Sequence, residues 1–80
     1  MPQIHKLSEL EQGMKAVVLD IVARDDLRRR LQDLGLIKGT KVICVQKSPL
    51  GDPIAFRIRG AIIALRYEDA SCVYIRHNEV

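Results

Sequence analysis

The chain predicts a mainly β fold with one short helix, curled into a small SH3-like β-barrel. Three observations carry that expectation. Five short segments are rich in β-branched and apolar residues. A single stretch has helical spacing. And 80 residues are too few to cover both faces of an open five-stranded sheet. Curling buries one face of the sheet on itself and leaves less edge unpaired. The chain is 48% hydrophobic but only 4% aromatic, with Phe56, Tyr67 and Tyr74 as its aromatics, so the core must be built from Val, Ile and Leu. Residues 1–80 are expected to form one domain, because no linker, repeat or low-complexity segment divides them.

Taken in order, Ser8-Glu9-Leu10-Glu11 has a capping-box pattern that predicts one helical turn, ended by Gly13. Met14 to Ile21 is β-branched and reads as the first strand. Asp25 or Asp26 is placed to cap a helix whose apolar stripe is Leu27, Leu31 and Leu34, at i, i+4 and i+7. Asp25–Arg29, Asp26–Arg30 and Arg29–Asp33 are spaced for i,i+4 pairing along it. Gly35 fits the position just past the helix, where a left-handed backbone is least strained without a Cβ.

Lys38-Gly39 suits a turn with positive φ at the glycine, and Lys41 to Gln46 follows as a strand apolar on both faces, hence central. Ser48 to Pro53 is a turn stiffened by two prolines. Ile54 to Arg59 alternates, and Gly60-Ala61 reads as a type II′ loop, which would set Ile58 against Ile63 and Phe56 against Leu65. Tyr67 to Ala70 reads as a polar turn, Cys72 to Ile75 as the last strand, and Arg76 to Val80 as a loose tail.

With these elements placed, Arg30-Leu31-Gln32-Asp33-Leu34-Gly35-Leu36-Ile37-Lys38-Gly39-Thr40 resembles the "RLxDLGLxxGT" hallmark of the FeoA family. Pro49-Leu50-Gly51-Asp52-Pro53 resembles that family's "PLGDP" turn, and Ala64 to Ala70 its closing "LRxxxA" segment. The opening Leu7 to Gly13 also matches its usual start. The likeness is collinear from Leu7 to Ile75, and Ser48 and the polar tail are minor departures. It implies an SH3-like fold and a small cytoplasmic accessory of bacterial ferrous-iron uptake, held at the inner membrane only through its partner. That partner would be the cytosolic domain of the FeoB permease. The same fold closes metal-dependent repressors related to the diphtheria-toxin repressor, so a stand-alone metal-responsive regulator is an alternative reading.

The residues themselves exclude several chemistries. No Walker glycine loop is present, no nucleophile stands in a catalytic pattern, and Asp52 has no second carboxylate to work with, so neither catalysis nor a cofactor is expected. Asp52 is most simply a turn-former beside Gly51. His5, Cys44, Cys72 and His77 are scattered without ligand spacing, so no metal site is expected, and the two cysteines read as reduced thiols. The longest apolar run, Ala61 to Leu65, is far short of the roughly 20 residues that span a bilayer, and the N-terminal residues lack a signal-peptide core. No membrane insertion is expected.

The net charge of +3 permits an acidic partner without demanding one. Arg57, Arg59 and Arg66 are expected on the outer hairpin face, which makes a small basic nucleic-acid-binding barrel the rival reading. Such binders stack bases on exposed aromatics, and the lone Phe56 is assigned to the core, so no nucleic acid is expected. Leu50 has two readings: a lid folded over one barrel end, or an apolar anchor at an interface with Arg57 and Arg59 as a charged rim. The expected activity is therefore protein contact, with self-association left open.

Overall fold

The computed structural model describes residues 4–77. Its strands are β1 (Ile4–Lys6), β2 (Lys15–Ile21), β3 (Lys41–Lys47), β4 (Ile54–Ile58), β5 (Ala61–Leu65) and β6 (Val73–His77). Between them lie a 3-10 turn (Leu7–Glu9) and two helices, α1 (Asp25–Asp33) and α2 (Tyr67–Ala70). All strand pairs are antiparallel, in the order β1-β6-β2-β3-β4-β5. Thus β3 is interior, as its two apolar faces predict, while β1 and β5 are edges.

Only one face of the sheet is deeply buried. Ala16, Val18, Ile21, Val42, Cys44, Ile54, Phe56, Ile58, Val73 and Ile75 turn inward from the strands to one core. Leu7 and Leu10 close it on one side and Leu31 and Leu36 on another. The sheet must bend to surround so small a core, and two bulges in its central strands supply the bend. Leu19 is the extra residue where β2 slips against β6, and Val45 where β3 slips against β4.

α1 carries the predicted stripe, with Leu31 buried and Leu27 and Leu34 packed beside it. Its end is a Schellman motif. Leu36 N–H donates to Leu31 O at 3.1 Å and Gly35 N–H to Gln32 O at 2.9 Å. Gly35 has φ +108, and a Cβ there would stand 3.0 Å from Ile58 Cγ2 and 3.1 Å from Arg59 Cδ. Both backbone conformation and space therefore require glycine. Gly39 then takes φ +91 in a turn closed by Thr40 N–H donating to Ile37 O at 3.0 Å.

Several expectations are corrected. Among the described residues the strands number six, because β1 pairs with β6. The opening turn begins earlier than the capping-box pattern placed it: Glu9 Oε1 accepts from Lys6 N–H at 2.8 Å, and Ser8 is buried. Asp25 and Asp26 lie inside the first turn of α1 with Arg24 at the cap, so they act on the helix dipole and not as caps. The three i,i+4 pairs do not form. Arg28 instead reaches Asp20 on β2 (3.6 Å) and Arg30 reaches Asp69 on α2 (3.5 Å).

The hairpin loop is Arg59-Gly60, with φ +51 and +81, which is type I′ and not the expected Gly60-Ala61 turn. Ile58 therefore faces Ala61, Phe56 faces Ile63, and Ile54 faces Leu65. The two-residue shift keeps the strand side chains on their expected faces but moves Arg59 from the outer face into the loop. Tyr67–Ala70 is one helical turn. Arg76 and His77 belong to β6, so the loose-tail reading fails for them, and its remainder, 78–80, lies outside the described residues.

Candidate functional site

The turn from Ser48 to Pro53 is tied at every stage. Gly51 N–H donates to Ser48 O at 2.7 Å, closing a β-turn with Pro49 at its second position. Ser48 Oγ donates to Pro53 O at 2.8 Å, and Ser48 N–H reaches the same oxygen at 3.3 Å. Asp52 does more than form a local turn, because its Oδ1 accepts from Tyr67 N–H at 2.9 Å. That bond anchors the turn to the start of α2, fifteen residues away.

On this fixed frame Leu50 is 95% exposed. The lid reading is thereby excluded: Leu50 covers nothing. Beside it, Leu50, Gly51, Asp52, Lys47, Ile54 and Tyr67 line an open groove of about 420 Å³. Tyr67 is 51% exposed and Ile54 is buried beneath. The groove thus offers two apolar side chains, a phenol, a lysine and a carboxylate, which suits contact with a protein side chain.

The sequence-predicted rim is elsewhere. Arg57 is exposed on β4 opposite Ile62, and Arg59 sits in the hairpin turn with its methylenes over Gly35. Counted along β4 from Ile54, where the Leu50 turn ends, Arg57 lies about 10 Å away and Arg59 about 17 Å, at ~3.4 Å per residue. Leu50 and the two arginines are therefore two surfaces. Tyr67, which does join Leu50, was missed. The signal available was its rarity, since it is one of three aromatics and unneeded by an aliphatic core.

The cysteines are both free. Cys44 is buried on β3, and burial pushes its thiol pKa up. β1 and β6 bring His5 and His77 together, although they lie far apart in the sequence. Their rings meet edge to face at 4.7 Å between centroids. Among the described residues, no three His, Cys, Asp or Glu side chains gather as a metal site. No helix among them is long and apolar enough to cross a membrane.

A family model described as the FeoA domain matches residues 5–77. Over 70 residues the chain is 36% identical to the Fe(2+) transport protein A/Fe(2+) transporter FeoB fusion protein of Porphyromonas gingivalis. That alignment covers 88% of this chain and only 8% of the fusion protein. The solution structure of the Chlorobium tepidum FeoA protein superposes with a TM-score of 0.85 at 38% identity, covering 91% of this chain and 70% of that one. The zinc complex of Stenotrophomonas maltophilia FeoA, an SH3 domain protein, superposes with a TM-score of 0.80 at 36% identity, covering 89% and 88%.

Proposed function

This chain belongs to the FeoA domain family, whose fold is SH3-like and whose members are linked to ferrous-iron transport, and on that premise we propose that it is a non-catalytic accessory of ferrous-iron uptake. It acts in the cytoplasm by docking on the cytosolic part of a FeoB permease. In the P. gingivalis relative the two proteins are one polypeptide, an arrangement that keeps weakly binding partners at high effective concentration.

The observation that carries the reading is the exposure of Leu50 on a turn closed by hydrogen bonds from Gly51 and Ser48 and tied to α2 through Asp52. A leucine held rigidly in water has no stabilising role in the chain's own fold. Docking it costs little ordering entropy, because the turn is already ordered. Leu50 is the anchor, Tyr67 and Lys47 extend it, and Arg57 and Arg59 form a second contact at the far end of β4.

NMR titration of the labelled chain with the permease's cytosolic domain tests this. Shifts are expected at Leu50, Gly51 and Tyr67, and Leu50→Ser should weaken binding about thirtyfold or more, the scale of an interface hot spot. A folded sample showing no shifts at high micromolar partner would overturn docking on that domain.

A further inference from the structure

We propose that the free edge of β5 is a strand-addition site for an acidic, extended segment of a partner polypeptide. The surface is distinct from the Leu50 turn, and the proposal does not depend on it.

Among the described residues β5 pairs with β4 alone and ends the sheet. Edge strands are normally guarded by charge, proline, a bulge, brevity or a covering helix or loop. Beside Ala64 and Leu65, Arg30 and Leu34 at the end of α1 and Glu68 and Asp69 on α2 leave an open groove. The opposite edge, β1, has three described residues, one of them the charged Lys6. β5 has five residues, Ala61-Ile62-Ile63-Ala64-Leu65, with no charge, no proline and no slip in its register.

The turn geometry says which groups are free. In a two-residue hairpin the pair beside the loop exchanges both ladder bonds, and paired and unpaired positions then alternate. With Arg59-Gly60 as the loop, Ala61, Ile63 and Leu65 aim their amides at β4. Ile62 and Ala64 aim theirs outward, so an added strand finds two N–H and two C=O groups. Ile62 is also 59% exposed, offering apolar contact on the outer face.

Charge selects the occupant. The segment from Ile54 to Arg66 holds Arg57, Arg59 and Arg66 and no carboxylate, so it carries the chain's whole net charge of +3. Among the described residues the ion pairs are Arg28–Asp20, Arg30–Asp69 and Arg66–Glu68, which leaves Arg57 and Arg59 unpaired. Arg57 stands directly across from Ile62. A glutamate on an added strand opposite Ile62 is two strand spacings from Arg57, about 10 Å, which the two long side chains span together. A second copy pairing through its own β5 in antiparallel register would set Arg59 of each chain near Arg66 of the other. Glu68 offsets Arg66, so charge opposes that pairing only weakly, but the pairing brings Arg57 no carboxylate, whereas an acidic segment does.

The test measures amide exchange on the full chain with a short, end-blocked synthetic peptide of alternating Glu and Val. At millimolar peptide, exchange at Ile62 and Ala64 should slow by one plus the ratio of peptide concentration to Kd. The effect should fade with salt and be absent with the Lys/Val counterpart. Ala64→Pro removes an outward donor without breaking a ladder bond and should abolish the slowing. Ile62→Glu, at an exposed site, should weaken it by repulsion even if the proline variant fails to fold. Unchanged exchange at both amides, or equal slowing by the lysine peptide, overturns the proposal. So does concentration-dependent protection without peptide, which would indicate a second copy. Tight, salt-sensitive shifts of Arg57 and Arg59 by a single-stranded oligonucleotide, with no slowing at the two amides, would replace the acidic segment with nucleic acid.

Discussion

Leu36 and Leu50 each stand beside a glycine, in turns that lead into or out of the same central strand β3, yet one is wholly buried and the other is 95% exposed. Leu36 follows Gly35, and the Schellman bonds swing it back onto Leu31 in the core. Leu50 precedes Gly51, and the bonds of its turn, from Ser48, Gly51 and Asp52, hold it outward. Both turns are rigid, so rigidity alone does not separate them. The difference lies in where the hydrogen bonds aim the leucine. One turn spends its order on folding, while the other holds an apolar group ready for contact.

The sharpest way to break this contrast is Leu36→Ala. A buried leucine lost to a cavity should cost about 2–5 kcal/mol in a denaturant melt. A cost below about 1 kcal/mol would mean Leu36 is not a core residue. Gly35→Val should follow closely. Left-handed strain contributes about 1–2 kcal/mol, and the contacts with Ile58 and Arg59 add to it, for a total above 1 kcal/mol and a fall in Tm of at least about 4 °C. An unchanged Tm would place the helix end elsewhere.

How far the sequence anticipated this molecule follows the same line between local and distant causes. The α1 stripe, the Gly35 stop and the inward face of β4 depend on spacing, and all were readable. The hairpin loop was misread because the sequence favours glycine first, whereas Arg59 takes φ +51 with its stem laid over Gly35, a neighbour met only after folding. The helix at Tyr67 was missed for a similar reason, since its end group comes from Asp52, not from an adjacent residue. β1 exists because β6 lies beside it. At the candidate site, Leu50 was readable from its prolines. Its separation from Arg57 and Arg59 was not, because that depends on which end of β4 each occupies.

Asp52 gives the middle-sized test. Asp52→Ala removes the acceptor of Tyr67 N–H, an exposed bond, and should cost about 0.5–1.5 kcal/mol. It should also loosen the link between the turn and α2, visible as faster amide exchange at Tyr67. If exchange at Tyr67 is unchanged, α2 does not depend on the turn, and the frame that holds Leu50 outward is weaker than drawn.

The smallest expected effect is the most discriminating. Leu50→Ala makes the same chemical change as Leu36→Ala, but at a side chain that touches almost nothing. Its effect on stability should stay within about 0.5 kcal/mol, as for ordinary surface positions. Affinity for the permease's cytosolic domain should fall at the same time. A loss of stability above about 1 kcal/mol would show that Leu50 packs against the protein in solution. The two turns would then be alike, and the apolar anchor would disappear. Unchanged stability with unchanged affinity would keep the contrast in burial but move the contact to Tyr67 or to the arginine end of β4. Only unchanged stability with weakened binding gives the exposed leucine the role its turn is built to present.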